Sequence, residues 1–221
     1  MKIGILGVLK QIKFLFIPYL LVLAACLLIA VTYTKAQIYF TVNSWHFPFG
    51  DVFFAFWTNM GDGLVCVLIT LGLLLFSYRK GFLMGTAFAL TSILAQVLKR
   101  IAATQRPILF FKDQICKIYL VKGVAMLETL SFPSGHTTSA FTAAVVLTYI
   151  SPRKYWGLLF FVLAVLVGYS RMYLSEHFFE DVVGGSAIGV FVTVFWITWI
   201  DGKQFIQSPK WNTGLLKTLF K

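Results

Sequence analysis

Charge is scarce in this chain. Only 12% of its 221 residues are Asp, Glu, Lys or Arg, about half of the roughly 25% found in ordinary soluble domains. Acids are scarcest, 8 against 19 Lys and Arg, which leaves a net charge of +11. Three cysteines (Cys26, Cys66 and Cys116) exclude a disulfide framework, and the first two lie inside apolar runs. Internal repeats and low-complexity tracts are lacking as well. What abounds is apolar: 59% of residues are hydrophobic and the mean hydropathy is +0.84. A water-soluble core of this size could not hide them all. The composition therefore excludes a soluble globular domain and implies an integral membrane protein built from spans of about 20 residues. In that setting the positive charge belongs to the cytoplasmic ends of spans, not to a nucleic-acid-binding surface.

The expected fold is all-α: a six-span transmembrane helical bundle with interfacial helical segments, forming a single membrane domain over residues 1–221. The apolar runs place the spans at about 14–34, 63–78, 81–97, 134–150, 155–169 and 182–200. The first, Phe14–Thr34, is 21 residues without a charge and follows Lys2, Lys10 and Lys13. A secretory signal core runs roughly 7–15 residues, so this longer run reads as an uncleaved anchor, bent near Pro18. Ala36 to Asp62 mixes nine aromatics with Pro48, Gly50 and two Asp, which suits the membrane interface. Arg79-Lys80 reads as a tight turn and Ser151-Pro152-Arg153-Lys154 as a helix stop. In the tail Ser208–Lys221, Trp211, Leu215, Leu216, Leu219 and Phe220 recur at helical spacing among lysines, as in an amphipathic helix on an anionic membrane face.

With both termini cytoplasmic, the inner segments hold eleven cations (Lys2, Lys10, Lys13, Arg79, Lys80, Arg153, Lys154, Lys203, Lys210, Lys217 and Lys221) against Asp201 alone. The outer segments hold eight cations and seven acids. By Lys and Arg count the preference is modest. The outer cations crowd into Lys99–Lys122 and need a further explanation.

Three clusters supply it. Lys99-x6-Arg106-Pro107 closes the third span, Pro133-Ser134-Gly135-His136 opens the fourth, and Ser170-Arg171-x5-His177-x3-Asp181 lies between the fifth and sixth. An even number of spans separates the second from the third, so all three face one side. Ionisable groups at membrane depth are costly and by default functional. His136, His177 and Asp181 could ligate a metal, but Lys99, Arg106 and Arg171 would repel a divalent ion there. Those cations suit a tetrahedral oxyanion instead, Arg as a fork of paired donors and Lys as a point charge. Backbone N–H groups at Ser134-Gly135 would add to such a site. Phosphoryl removal needs a nucleophile and a proton donor. An Asp181 on the same helix face as His177 would hold its imidazole, making His177 the nucleophile and His136 the acid for the leaving oxygen.

At these residues the chain resembles the type 2 phosphatidic acid phosphatase superfamily, whose motifs are K-x6-RP, PSGH and SR-x5-H-x3-D. All three match in order across Lys99–Asp181, about a third of the chain, with no departure at a motif position. The resemblance implies metal-independent and cofactor-free hydrolysis of lipid phosphates or pyrophosphates through a phosphohistidine on His177. It also implies phosphate binding by Lys99, Arg106, Ser134, Gly135 and Arg171. Six spans fit the membrane-bound branch rather than the soluble vanadium haloperoxidases. The expected partner is a membrane lipid phosphate, with no nucleic acid, and the expected location is a bacterial inner membrane with the site on its outer face. Undecaprenyl pyrophosphate, phosphatidylglycerol phosphate, phosphatidate and lipid A phosphates are all open at this level, because head-group choice depends on the Phe110–Leu130 loop and on span packing. The sequence carries no signal of oligomeric state.

The competing readings are an anion carrier or channel using the same cations, and a phosphotransferase with an acceptor other than water. A carrier has no evident use for a His177–Asp181 pair opposite a second histidine. Taken singly, Lys99, Arg106 and Arg171 would read as interfacial anchors. His46, outside every motif, reads as structural, and Gly185-x3-Gly189 as a helix-packing face. Glu176 and Glu180 flank the nucleophile and are expected to be solvated or supporting. Trp156, Trp196 and Trp199 are expected at the membrane interface.

Overall fold

The computed structural model describes residues 4–219; Lys2, Phe220 and Lys221 lie outside them. Its described residues form an all-helical protein with no named strand, only one isolated bridge between Gln105 and Thr129. The chain starts with α1 (Ile5–Gln11) and α2 (Lys13–Thr32), the latter continuing through Pro18. Two short helices follow, α3 (Lys35–Asn43) and α4 (Pro48–Trp57), in the aromatic stretch expected at the interface. Next come α5 (Gly63–Phe76), α6 (Tyr78–Ala102) and a short α7 (Pro107–Phe110). The second half holds α8 (Gly135–Ile150), α9 (Trp156–Tyr173), and α10 (Phe179–Ala187) running through one π turn into α11 (Thr193–Ile200). Short α12 (Gln204–Gln207) and α13 (Leu215–Leu219) close it.

Helices α2, α6, α9 and the continuous Phe179–Ile200 are each long and apolar enough to cross a membrane. The stretch Pro48–Gly61 and α5, bent by 53°, pass that test as a pair, so length and composition support four spans or five. Helix α2 exposes Leu21, Leu28 and Val31 on its outer surface and is apolar all round, as a lipid-facing helix should be. Helix α8 is different. At 16 residues it is short for a span, and most of it is buried between α6, α9 and the α10–α11 helix.

That burial is possible because α8 is built from small residues whose hydroxyls find partners. Thr138, Ser139 and Thr148 donate back to carbonyls one turn earlier, and Thr142 donates to Thr91 of α6 at 3.0 Å. From the other side, Gly185 and Gly189 bring the last long helix directly onto α8. A Cβ at Gly185 would stand 2.6 Å from the Ser134 carbonyl, and one at Gly189 2.7 Å from that of Thr138.

Several boundaries differ from the sequence expectation, each for a local reason. Arg79 and Lys80 are not a turn. The break falls at Ser77, whose hydroxyl accepts the Lys80 N–H and starts α6 there. Ser170 and Arg171 belong to the last turn of α9 rather than to a loop. The tail is not a continuous amphipathic helix. It breaks at Pro209 and Gly214 and folds onto α5 and α6, where Trp211 packs against Phe82 and the Thr213 carbonyl accepts the Tyr78 N–H. Trp196 is tied inward, its indole N–H donating to Thr86 at 2.9 Å, whereas Trp156 and Trp199 stay exposed. Cys26, Cys66 and Cys116 are free thiols.

Candidate active site

The three motifs converge at one end of the bundle, each held by the element that carries it. Helix α6 ends where Ala103 turns left-handed (φ 45°). One turn earlier, Lys99 is buried and its Nζ donates to the carbonyls of Leu130 (2.7 Å) and Ser131 (3.4 Å). The chain returning from the Phe110–Leu130 loop therefore lies against the α6 terminus. Thr104 fastens it: its carbonyl accepts from the Ser131 N–H and its hydroxyl from the Phe132 N–H. Arg106 is fixed by the same strand-like segment, its Nε donating to the Thr129 carbonyl at 3.0 Å.

Ser134 then caps α8, accepting from the Thr137 hydroxyl at 2.9 Å, while its own N–H is bound by the Asp181 carbonyl. These contacts fix the helix start. Gly135 leaves the space above that start open; the nearest atom a Cβ would meet is Lys99 Cε, at 4.0 Å. The N-terminal amides of a 16-residue helix and the Lys99 ammonium thus border the same space, a combination that favours an anion. His136 stands on the wall of a cavity of about 320 Å³ between α5, α6 and α8, together with Phe88, Ser92, Gln96 and Ser139.

Arg171 sits in the last turn of α9, where its NH1 donates to Thr58 at 2.7 Å. Past α9, Ser175 adopts φ 58° and folds the chain back, so that the N–H groups of Glu176 and His177 both bond the Arg171 carbonyl. The buried Ser175 hydroxyl accepts from Tyr39 (2.9 Å) and Asn43 (3.1 Å) of α3. The left-handed residue is thus clamped by an interfacial helix.

His177 is 2% exposed. Its Nδ1 lies 3.5 Å from Asp181 Oδ2 and 3.5 Å from Ser131 Oγ, and Ser131 donates to the same carboxylate oxygen at 2.5 Å. Asp181 also accepts the Phe178 N–H at 2.8 Å, which pins it at the start of α10. A carboxylate on this edge holds the proton on Nδ1 and leaves a lone pair on Nε2. Burial, reinforced by Arg106, Arg171, Lys99 and His136, pushes the His177 pKa well below its ordinary value, so the ring is neutral. Burial also lowers Arg106, with Glu176 opposing it.

Of the two roles expected for Glu176, solvated or supporting, the structure shows the supporting one. The residue is 4% exposed, and its Oε2 pairs with NH1 of Arg106 and, at 3.2 Å, with NH2 of Arg171. Glu180 is the half-exposed one, 2.5 Å from Lys35. Nε of Arg171 is buried without a partner among the described residues, a donor free for a ligand. No three His, Cys, Asp or Glu side chains among the described residues are grouped as a metal site. His46 lies outside the cluster, stacked between Tyr119 and Tyr173 with Nδ1 on the Asn43 carbonyl.

The PAP2 superfamily matches residues 80–205, more than half of the chain. The chain belongs to the PAP2 superfamily. It is 31% identical to undecaprenyl-diphosphatase of Sulfolobus acidocaldarius over 166 residues, covering 74% of this chain and 72% of that one. Among solved structures, Aquifex aeolicus LpxE superposes with a TM-score of 0.67 at 28% identity, over 76% of this chain and 98% of that chain. A transmembrane PAP2-type phosphatidylglycerolphosphate phosphatase of Bacillus subtilis gives 0.60 at 28% identity, over 89% and 99%.

Every motif residue falls inside the matched PAP2 region, from Lys99 to Asp181. Two supporting residues, Thr58 and Ser131, stand outside the motifs and have no signal in the sequence. Thr58 lies outside the PAP2 match and reaches Arg171 across 113 positions, so no local pattern could show it. Ser131 stands two residues before Pro133 and is recognisable only once the loop closes. Glu176 did carry a signal: an acid five residues after Arg171 and next to His177 invites an ion pair.

Proposed function

We propose that the protein hydrolyses a membrane lipid phosphate monoester or lipid pyrophosphate at an outward-facing site, through a phosphohistidine on His177 and without a metal. The observation that carries this reading is the environment of His177. It is buried, neutral, held at Nδ1 by Asp181 and surrounded by Lys99, Arg106 and Arg171. An orienting carboxylate behind a neutral imidazole is what a nitrogen nucleophile requires.

The phosphoryl oxygens would bind Lys99, the arginine guanidiniums and the amides at the start of α8, with Arg171 Nε as the vacant donor. His177 Nε2 attacks phosphorus as the bond to the leaving oxygen breaks. His136 delivers a proton to that oxygen, and its cavity accommodates the departing group. Water then attacks the phosphohistidine, giving its proton to His136 and releasing inorganic phosphate and a free His177. These steps place negative charge on the non-bridging oxygens, where the fixed cations stabilise it.

The same proposal sets six spans, with α8 as the enclosed one alongside α2, α5, α6, α9 and the α10–α11 helix. Both termini then face the cytoplasm and the site faces outward, across a bacterial inner membrane. Purified protein in detergent and chelator, given a panel of lipid phosphates and diphosphates, should release phosphate. Acid-quenched enzyme given labelled substrate should carry acid-labile label, absent from His177→Ala. Undiminished turnover by His177→Ala would overturn the covalent route, and activity restored only by a divalent metal would overturn metal independence.

A further inference from the structure

We infer that Glu176 is a positioning residue whose charge keeps the site from holding inorganic phosphate too tightly. The inference rests on the assignment of Arg106 and Arg171 to phosphate binding. The catalytic sequence gives Glu176 no step, yet its carboxylate is buried between the two guanidiniums and touches both. Its backbone is tied to the same pair: its N–H bonds the Arg171 carbonyl, and its own carbonyl accepts from Arg106 at 3.2 Å.

Two consequences follow from elementary electrostatics. The carboxylate sets the separation and tilt of the two forks, as bidentate pairing does. It also repels any second anion brought to those forks, and it occupies donors that the anion would otherwise use. With His177 neutral, the cations Lys99, Arg106 and Arg171 face the carboxylates of Asp181 and Glu176, and these five side chains carry a single net positive charge. Removing Glu176's charge would double it. The product, inorganic phosphate, is the species most affected, because it has no lipid portion to add binding energy elsewhere. A site with that doubled charge would bind its product better and turn over more slowly.

The two consequences separate in Glu176→Gln, which keeps an oxygen acceptor between the guanidiniums and removes the charge. The inhibition constants of inorganic phosphate and vanadate should fall by about tenfold, the scale of one unit charge at contact range in a protein medium. KM for the lipid substrate and kcat should fall together as product release slows. If Glu176 serves only to align the arginines, the opposite occurs: the inhibition constants rise and KM rises with them. A rise, or no change, overturns the inference. Should Glu176→Gln not yield folded protein, Glu176→Asp asks the same question with the charge drawn back by one methylene. Its inhibition constants should fall about twofold to threefold, and a rise again overturns the inference. Arg106→Ala in the same assay separates the two levels of the argument: it should abolish phosphate inhibition. If it leaves inhibition at the wild-type value, the phosphate-site assignment fails rather than the role of Glu176.

Discussion

The two ends of this bundle treat buried charge in opposite ways. At the end away from the motifs, Asp201 is 1% exposed and fully engaged. Arg79 grips both its oxygens at 2.7 and 2.5 Å, Tyr149 donates at 2.6 Å, and its backbone carbonyl accepts from Gln207. One acid meets one fork, and the account closes. At the motif end three cations face two carboxylates, Arg171 keeps an unpartnered buried Nε, and His177 meets Asp181 only at 3.5 Å. Folding alone favours the first arrangement, since unpaired buried charge is costly. The imbalance at the motif end makes sense if an anionic ligand completes it.

That contrast breaks most visibly at His136. If it protonates the leaving oxygen, His136→Ala should slow a lipid monoester by roughly 10²–10⁴-fold, the usual yield of acid–base assistance. A nitrophenyl phosphate, whose leaving group is far less basic, should lose much less. Equal losses on both substrates would reduce His136 to a wall of the cavity. Next in size is Arg171→Lys. An ammonium cannot hold Thr58, meet Glu176 and still offer a free donor. The loss should be on the order of 10²-fold in kcat/KM, as for one missing donor to a developing anion, with little change in melting temperature. A large thermal shift with near-normal kcat/KM would make Arg171 a structural ion like Arg79.

Asp201→Asn tests the other end. It removes the counter-charge of a pair that is buried on one side only, Arg79 being 28% exposed. The cost should lie near the lower end of the range for broken buried pairs, roughly 3 kcal/mol, read as lost denaturant or thermal stability in detergent. Activity per folded molecule should stay within about twofold, because among the described residues the hydrogen bonds of Asp201 go to Arg79, Tyr149 and Gln207 and to no motif residue. If activity falls in step with Arg171→Lys, the two ends are coupled and the contrast fails.

The legible parts of this protein share one property: their meaning is local. Lys99, Ser134 and Asp181 each sit at the end of a helix whose start or stop is written within a few residues, so the motifs marked them as candidates. Helix α8 was legible as apolar but not as central. Nothing in its hydropathy says that α6 and α9 enclose it, because that depends on Gly185 and Gly189 of another helix. The turn at Arg79-Lys80 was misplaced because two charges looked like a loop, whereas the cap that decides the boundary is Ser77. Ser131 and Thr58 carry no local signal, for one shared reason. Each acts through a partner brought near only by tertiary folding: Ser131 meets Asp181 across 50 positions and Thr58 meets Arg171 across 113.

The smallest expected effect concerns pH, and it follows from His177 alone. Its burial and the surrounding cations hold its pKa well below the ordinary 6.5. In the unfolded chain the imidazole is solvated and titrates near that ordinary value. Above about pH 6.5 both states hold it neutral, and it contributes no pH dependence. As pH falls through 6.5 the unfolded chain takes up a proton that the folded protein resists, so stability is lost progressively until the folded value is reached. The group therefore destabilises the fold in mild acid while keeping the nucleophile neutral there. Wild type should lose stability relative to His177→Ala between about pH 6.5 and 5, and the two should run parallel above that window. On the activity side, the acid limb of kcat/KM set by this nucleophile should lie below 6.5. Parallel stability curves throughout, or an acid limb at 6.5, would mean that neither burial nor the surrounding cations depress the pKa of His177, and the charge imbalance that distinguishes this end of the bundle would have no hold on its chemistry.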